Sequence, residues 1–490
     1  MYQTPKSRIT PANRAPINPD GNYVLYWMIA NRRPAWNFSL DRAMEWAREL
    51  KKPLLALEAL RCGHEWACER FHGFVLNGMK ANSKAFKDAN ISYYPYIETS
   101  PGMGKGLIEE LSRNACVIVT DNFPCFFLPR MVDAAAKKSS VLIEKVDSNG
   151  LIPISATQNA YPSAYAFRRF IQNFLPKIIL ERPNPAPFDG APKFSPVLID
   201  PEISNRWPSA ADDLLDASHD QLAGLPIDHN IKATSTKGGF ENAVALMNDF
   251  FSQKLSSYGE LRNVPDLNVS SGLSPYLHWG HISVHQVFWS LMGIENWTPE
   301  QLGAKAAGKR TGWWGVSPNA ESFLDELVTW REVGFNMCAV QQNYDQYESL
   351  PEWAIKTLKD HENDFRPYLY SLEEFENAQT HDSLWNAAQT ELVLQGRIHN
   401  YLRMLWGKKI LEWTQNSRQA LEIMIQLNNK YALDGRNPNS YSGIFWILGR
   451  YDRPWGPERS IFGKIRYMSS ERTKEKVSVK KYLEKYQSKR

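Results

Sequence analysis

The stretch that decides the fold runs from Thr380 to Trp413 and reads THDSLWNAAQTELVLQGRIHNYLRMLWGKKILEW. Its pattern is helical, and three tryptophans alternate with an amide pair and an arginine–methionine pair: Trp385, Trp406 and Trp413, with Asn386, Gln389, Arg403 and Met404. Trp406 and Trp413 are seven residues apart, so they share one helix face. Because a buried indole N–H needs a partner, the spacing alone predicts either a pair of core helices or a functional site, and it does not decide between them.

The whole chain is long and rich in aromatic residues. Its 490 residues, 17 of them tryptophan, predict two domains, since a single core rarely grows so large. The net charge of +4 permits a polyanionic partner without requiring one. Basic residues accumulate toward the C-terminus, at Arg453, Arg459, Lys464, Arg466, Arg472, Lys474, Lys476, Lys480, Lys481, Lys485, Lys489 and Arg490. This region is either a solvated terminus or an edge that contacts phosphates.

The five cysteines show no C-x-x-C spacing, and four of them lie in the N-terminal half. They predict neither a disulfide framework nor a zinc site, and reduced thiols in a reducing compartment are expected. No apolar run is long enough to span a bilayer, and no signal-peptide pattern is present. We therefore expect a cytoplasmic protein that makes no contact with a membrane and binds no metal.

The N-terminal half alternates short apolar runs with segments of helical periodicity. The predicted strands are 23–29, 53–59, 91–97, 116–120 and 141–146, and the predicted helices are 37–50, 65–86, 103–112 and 129–136. Such alternation predicts a parallel sheet covered on both faces. No G-x-G-x-x-G follows the first strand, so the dinucleotide-binding fingerprint is absent.

Composition also predicts where the domains divide. Residues 1–20 are polar and contain prolines, which predicts a flexible arm before an α/β domain over 21–150. The proline-rich residues 151–237 read as a linker with one helix over 164–175. A helical domain then covers 238–475, and 476–490 form a basic tail.

Two motifs of the helical half have the residue types of a binding site. The run from Ser270 to Ser274 (SSGLS) places small hydroxyls where a helix can start, and these can donate hydrogen bonds to phosphate oxygens. A capped turn has the same composition. Glu326, Trp330 and Arg331 bring a carboxylate, an aromatic ring and a guanidinium within two helical turns, a grouping that an exposed helix face also produces.

The stretch from Thr380 to Trp413 resembles the flavin-binding domain of the class II cyclobutane pyrimidine dimer photolyases. That family reads roughly T-x-D-x-L-W-N-A-A-Q, followed by G-x-x-H-x-x-L-R-M-x-W-x-K-K-I-L-E-W. The matching residues are Thr380, Asp382, Leu384 to Gln389, Gly396, His399, Leu402, Arg403, Met404, Trp406 and Lys408 to Trp413. A match of this length and order is specific, and the resemblance extends from about residue 23 to about residue 472. It implies a Rossmann-like α/β domain joined by a long linker to an all-α FAD-binding domain.

The resemblance implies a U-shaped FAD, reduced in the active form. It assigns to the flavin Tyr258, Ser270, Ser271, Gly272, Leu273, Ser274, Arg331, Asn400, Arg403, Asn428 and Asp434. Asn428 matches the class II asparagine opposite flavin N5, where an amide can both donate and accept. Asn400 stands where class II members commonly have glycine, which adds a polar group near the contact between flavin and lesion.

The resemblance further implies light-driven repair of UV-damaged DNA by a monomer. An electron from the excited cofactor opens the cyclobutane ring of a flipped-out dimer and then returns, so no general base is needed. It assigns to the DNA and its lesion Glu326, Trp330, Met404, Trp446, Lys464 and Arg466, with Arg466 in the gap that the dimer leaves. The tryptophans match a chain that reduces oxidised flavin, with Trp406 nearest FAD, then Trp385, and Trp413 toward the surface.

Two alternatives use the same flavin fold, namely a cryptochrome-type photoreceptor and a repair enzyme for (6-4) photoproducts. The complete lesion pocket favours repair of cyclobutane dimers. A (6-4) enzyme needs a histidine pair in the pocket, whereas His278 and His281 lie beside the SSGLS run. The N-terminal half of the family can hold an antenna chromophore. Here the first loop reads NRRPAWN over 31–37, where many members have an Asp-Asn-Trp-Ala-Leu-like run, so the sequence assigns no antenna molecule.

Overall fold

The structure is a computed structural model that describes residues 2–190, 192 and 194–487. Lys489 and Arg490 of the predicted basic tail lie outside the described residues. The chain forms two compact units. The α/β unit comprises Met1–Thr157, Lys177–Asn248 and Gly272–Ile294, and the helical unit comprises Gln158–Pro176, Asp249–Ser271 and Glu295–Arg490. This division differs from the predicted domain boundaries, which were continuous along the sequence. Residues 272–294 pack with the α/β unit, and residues 158–176 pack with the helical unit.

The α/β unit is built on a six-stranded sheet. Its strands are β1 Ile9–Pro11, β2 Tyr23–Met28, β3 Leu54–Leu60, β4 Ser92–Ile97, β5 Ala115–Asp121 and β6 Ile143–Val146, in the order β1-β6-β5-β2-β3-β4. The pairs among β2 to β6 are parallel, which confirms the predicted parallel sheet. Every residue of β2 and β5 is buried, which explains why these strands read as continuous apolar runs.

The sequence-based prediction of a flexible arm over residues 1–20 differs from the structure at β1. This strand pairs antiparallel with β6 at the edge of the sheet. The buried Arg8 donates hydrogen bonds to the carbonyl oxygens of Gly150 (3.1 Å) and Leu151 (2.7 Å), which ties the segment down. A three-residue edge strand that ends in Pro11 leaves no periodic signal in the sequence.

Helices make up most of the remaining regular secondary structure of the described residues. Numbered along the chain, they are α1 Phe38–Leu50, α2 Glu69–Asp88, α3 Leu107–Arg113, α4 Leu128–Ala136, α5 Ala164–Phe174, α6 Pro201–Arg206, α7 His219–Ala223, α8 Phe240–Asp249, α9 Tyr258–Leu261, α10 Ser274–Trp279, α11 Val284–Ile294, α12 Pro318–Leu324, α13 Arg331–Val340, α14 Glu352–Asp360, α15 Leu372–Glu376, α16 Ser383–Gln395, α17 Asn400–Glu412, α18 Ser417–Tyr431, α19 Pro438–Ile447, α20 Ser470–Lys476 and α21 Lys480–Tyr486. Helices α1 to α4 confirm the four predicted helices of the N-terminal half, with small shifts at their ends.

The stretch from Thr380 to Trp413 forms two helices, α16 and α17. Asp382 caps the first helix by accepting hydrogen bonds from the backbone N–H groups of Leu384 and Trp385. Gly396 ends it in the left-handed region with φ +68°, a conformation that glycine adopts at no steric cost. Both helices are largely buried, so their packing is that of a core helix pair, as the sequence predicted.

Helices α17 and α19 cross closely at Gly407, and this contact gives a prediction for stability. A Cβ atom at position 407 would overlap Cδ1 of Ile447 and lie 2.9 Å from the sulfur of Met424. We expect Gly407→Ala to lower the free energy of unfolding by ~1–3 kcal/mol through overpacking, measured by denaturant titration.

The matched control is Gly293→Ala, because Gly293 lies in α11 and a Cβ there would meet nothing within 4 Å. That change should raise the free energy of unfolding by ~0.5–1 kcal/mol. Equal effects at the two positions would contradict the close crossing at Gly407.

Candidate functional site

The three tryptophans of α16 and α17 form a connected, buried group in the helical unit. The indole N–H of Trp385 donates to the backbone oxygen of Trp406 at 2.9 Å, and the indole N–H of Trp406 donates to Oε1 of Gln389 at 2.9 Å. The rings of Trp385 and Trp413 lie 6.0 Å apart in an edge arrangement. The structure therefore brings together the three tryptophans of the predicted electron-transfer chain. Gln389 is the hydrogen-bond partner that the indole N–H of Trp406 needs.

Trp413 is deeper than its predicted place toward the surface, because only 2% of it is exposed. Its ring contacts His381, with centroids 4.9 Å apart, and Tyr370, at 5.7 Å. His381 in turn stacks on Tyr368 at 3.8 Å, and Tyr368 is 48% exposed. Tyr368 and Tyr370 come from the segment before α15, which contains no tryptophan, whereas His381 lies between α15 and α16.

A polar cluster lies where α17, α18 and the following turn meet. Arg403, which the resemblance assigns to the cofactor together with Asp434, forms an ion pair with it at 3.2 Å. The buried Asn428 donates from its amide to the hydroxyl of Ser440 at 2.6 Å. Asn400 is the exposed first residue of α17, and Met404 is partly buried one turn later. The structure thus places four predicted residues along one helix and the turn beside it.

The segment preceding the SSGLS run is anchored by Tyr258. Its ring meets Phe250 and Phe323 edge-on, with centroids 5.5 and 5.6 Å apart. Burial, assisted by the nearby Glu326 carboxylate, raises the pKa of Tyr258 to about 12, so its hydroxyl stays protonated. Ser270 and Ser271 follow in the helical unit and are half-buried.

The last three residues of the SSGLS run belong to the α/β unit. Gly272 has φ +69°, so the turn requires a residue that tolerates the left-handed region. Leu273 is buried, and Ser274 begins α10. Residues 272–274 therefore form the predicted turn into a helix.

Glu326 and Trp330 lie on a π-helical segment, Asp325–Trp330, between α12 and α13. Such segments are rare and frequent at functional sites. Trp330 stacks on Trp446 with ring centroids 4.5 Å apart and an interplanar angle of 25°, which joins the two predicted lesion-facing tryptophans.

Glu326 forms a short ion pair with Arg262, to which the sequence had assigned no role. The predicted cofactor residue Arg331 is buried and packs over the ring of Phe335 at 4.4 Å. Arg262 precedes Glu326 by more than 60 residues, so no spacing rule links them.

The segment after α19 contains the last predicted contacts. The guanidinium of the exposed Arg466 lies 5.3 Å from the ring of Trp455, and that of Arg453 lies 5.0 Å from the same ring. Trp455 is 37% exposed, and its indole N–H donates to Asp452 at 3.0 Å. Lys464 pairs with Glu458 at 3.2 Å. The sequence-based assignments did not include Trp455. A large aromatic residue within a run of basic residues is the pattern that could have pointed to it.

Comparison with known proteins identifies the family to which this chain belongs. No protein-family model matches the chain, but whole proteins do. The deoxyribodipyrimidine photo-lyase of Methanothermobacter thermautotrophicus is 32% identical over 470 residues, which cover 95% of this chain and 94% of that protein. The chain belongs to the deoxyribodipyrimidine photo-lyase family. The photo-lyase of Arabidopsis thaliana is also 32% identical, over 96% of this chain and 89% of that protein.

Solved structures of other proteins have the same fold as this chain. A cryptochrome from Synechocystis sp. PCC6803 superposes with a TM-score of 0.69 at 14% identity, covering 95% of this chain and 88% of that chain. At that identity the likeness shows the fold alone, which confirms the predicted combination of an α/β half and a helical half. Among the described residues of this photo-lyase, no helix combines the length and apolar character needed to cross a bilayer.

Proposed function

We propose that this photo-lyase is a class II enzyme that takes a cyclobutane pyrimidine dimer out of UV-damaged DNA and splits it in the light with reduced FAD. In this proposal it acts as a monomer in the cytoplasm. The observation that carries the proposal is the stacked indole pair of Trp330 and Trp446, with Glu326 on the same π-helical segment as Trp330. Aromatic faces stack on bases that have left the duplex, and each such contact contributes ~1–3 kcal/mol.

The residues of the helical unit fit a flavin. Arg403, Asp434 and Asn428 offer a cation, an anion and an amide, which are the donors and acceptors that a flavin ring needs. The ring nitrogen Nδ1 of His399, next to Asn400, is buried and has no hydrogen-bond partner among the described residues. A buried polar atom left in this way calls for a ligand or a water molecule. When bound, FAD supplies the electron chemistry of the reaction.

The protein itself supplies binding, orientation and an electron path. Glu326 offers carboxylate oxygens as acceptors to the N–H groups of the pyrimidines, and Trp330 with Trp446 offers a stacking surface. Asn428 is held by Ser440 so that its amide keeps one orientation. The chain Trp406, Trp385 and Trp413 carries electrons inward when the cofactor is oxidised, and its indole–carbonyl and indole–amide hydrogen bonds fix the rings.

The deciding experiment is repair of an oligonucleotide that contains one thymine dimer, by purified and chemically reduced protein, in light and in the dark. We expect a flavin spectrum and loss of the dimer in light only. A flavin-containing protein that neither repairs nor prefers the dimer would contradict the proposal and favour the cryptochrome-type photoreceptor, whose fold is the same.

The electron path gives a separate prediction. Trp406→Phe should abolish or strongly slow the light-driven reduction of oxidised FAD, since phenylalanine is much harder to oxidise. The change also leaves Oε1 of the fully buried Gln389 without its donor, at a cost in stability of ~1–3 kcal/mol. Repair by pre-reduced enzyme should survive. Photoreduction is followed by the bleaching of oxidised flavin absorbance.

The control for this variant is Trp297→Phe. Trp297 is also buried in the helical unit, and its indole N–H donates to the backbone oxygen of Trp314 at 2.7 Å, but it is not one of the three tryptophans of the electron path. It should photoreduce at the wild-type rate. If Trp406→Phe also does so, the assigned electron path is wrong.

A further inference from the structure

Helix α21 is part of the packed helical unit, although the sequence predicted a basic tail over 476–490. Val479, Tyr482 and Tyr486 are buried, and the two tyrosine rings pack together with centroids 4.8 Å apart. The helix packs against α16. Lys480 and Lys481 remain exposed on its outer side, so the basic composition of this region hid an amphipathic helix.

The N-terminus of α21 is held by a carboxylate from another segment. Oδ1 of Asp266 accepts a hydrogen bond from the backbone N–H of Tyr482 at 2.8 Å, and Oδ2 accepts from the hydroxyl of Ser478. The nearby backbone N–H groups of Lys480 and Lys481 also favour the charged form of this carboxylate. Burial alone would raise the pKa of Asp266, but these hydrogen bonds lower it. Asp266 thus caps a helix about 215 residues further along the chain, where free N–H groups favour an anion.

Asp266 lies in the segment between α9 and Ser270. This segment leads directly into the SSGLS run, whose hydroxyls suit phosphate oxygens and which the family resemblance assigns to the flavin. One end of α21 is therefore fixed to the phosphate-binding segment of the helical unit, residues 262–271.

The middle of α21 is fixed to a second segment. The hydroxyl of Tyr482 donates to Oε2 of Glu391 at 2.7 Å, and the same oxygen accepts from the backbone N–H of His399 at 2.8 Å. Oε1 of Glu391 pairs with Arg397 at 3.2 Å. Glu391 is 2% exposed, and a carboxylate so deeply buried persists only when it is paired. Burial and Glu391 raise the pKa of Tyr482, so its hydroxyl remains a donor.

Residues 396–399 connect α16 to α17, and α17 begins with Asn400, which the family resemblance assigns to the flavin. We propose that α21 is a clasp that joins the phosphate-binding segment to the segment before α17, with Asp266, Tyr482 and Glu391 as positioning residues for FAD. This inference rests on the proposed function. In this proposal the clasp slows the release of FAD, because it holds both segments in place.

The test is the release of FAD from the full-length protein after dilution, followed by the rise in fluorescence of free flavin. Tyr482→Phe keeps the packed ring and removes only the hydroxyl, so it should raise the release rate about tenfold, which equals ~1.4 kcal/mol. Asp266→Asn is a second variant with nearly the same shape but a weaker cap, and it should act in the same direction. Hydrogen exchange of residues 262–271 and 396–399 should also become faster in both variants.

The matched control is Tyr347→Phe. Tyr347 is a buried tyrosine of the same unit whose hydroxyl bonds to Ser417 at 2.7 Å, and it touches neither segment of the clasp through that bond. It should leave FAD release within about twofold of wild type. Equal release rates in Tyr482→Phe and Tyr347→Phe would overturn the clasp alone. Wild-type protein that takes up no FAD would overturn the proposed function, and the clasp with it.

Discussion

Replacing Glu326 with alanine is expected to keep FAD bound and to lower the yield of light-dependent dimer repair at least about tenfold, a loss equal to ~1.4 kcal/mol in the barrier. The carboxylate is the acceptor that the proposed function gives to the dimer bases. Its partner Arg262 would be left half-buried without its anion. Unpaired charges of this kind are costly, so some loss of stability should accompany the loss of repair.

The measurement is repair per absorbed photon by chemically reduced enzyme, with flavin content determined from absorbance. Glu326→Gln keeps the shape and one oxygen acceptor, so it should retain more repair than Glu326→Ala. Arg262→Gln is the matched control, because it breaks the same ion pair from the other side and leaves the carboxylate in place. If Arg262→Gln loses as much repair as Glu326→Ala, the carboxylate acts through the scaffold and not on the dimer.

The sequence predicted the regular parts of the fold because burial leaves a pattern there, which is continuous in the central strands and periodic in the helices. Strands β2 and β5 are buried along their whole length, and they appear in the sequence as continuous apolar runs. Strand β1 was missed since it is short and lies at the edge. Helix α21 was missed because its lysines dominate the composition, while Tyr482 and Tyr486 make the buried contacts.

The candidate site was predictable only where one motif contained several of its residues. The partners Gln389 and Trp406 lie within a single quoted stretch, and the structure joins them by a hydrogen bond. Arg262 and Glu326, or Asp266 and Tyr482, come from distant segments and meet only through packing. No periodicity encodes such pairs.

A variant in the segment after α19 distinguishes recognition of the dimer from general binding to DNA. Arg466→Ala is expected to lower the ratio of affinities for dimer-containing and undamaged duplex about tenfold. The exposed guanidinium lies against Trp455, and together they present a flat cation and an indole that can fill the space left by flipped bases. Removing the guanidinium removes the group that would fill this space. It leaves Arg453 as the cation beside Trp455.

Lys464→Ala is the matched control for Arg466→Ala, because Lys464 lies two residues away on the same segment and is exposed. A phosphate contact of this kind should weaken both DNAs alike and reduce the slope of log affinity against log salt by about one. Both variants are therefore measured at several fixed salt concentrations with the same two duplexes. A fall in both affinities by the same factor in Arg466→Ala would make Arg466 a backbone contact, whereas loss of the ratio alone places it in the gap beside Trp455.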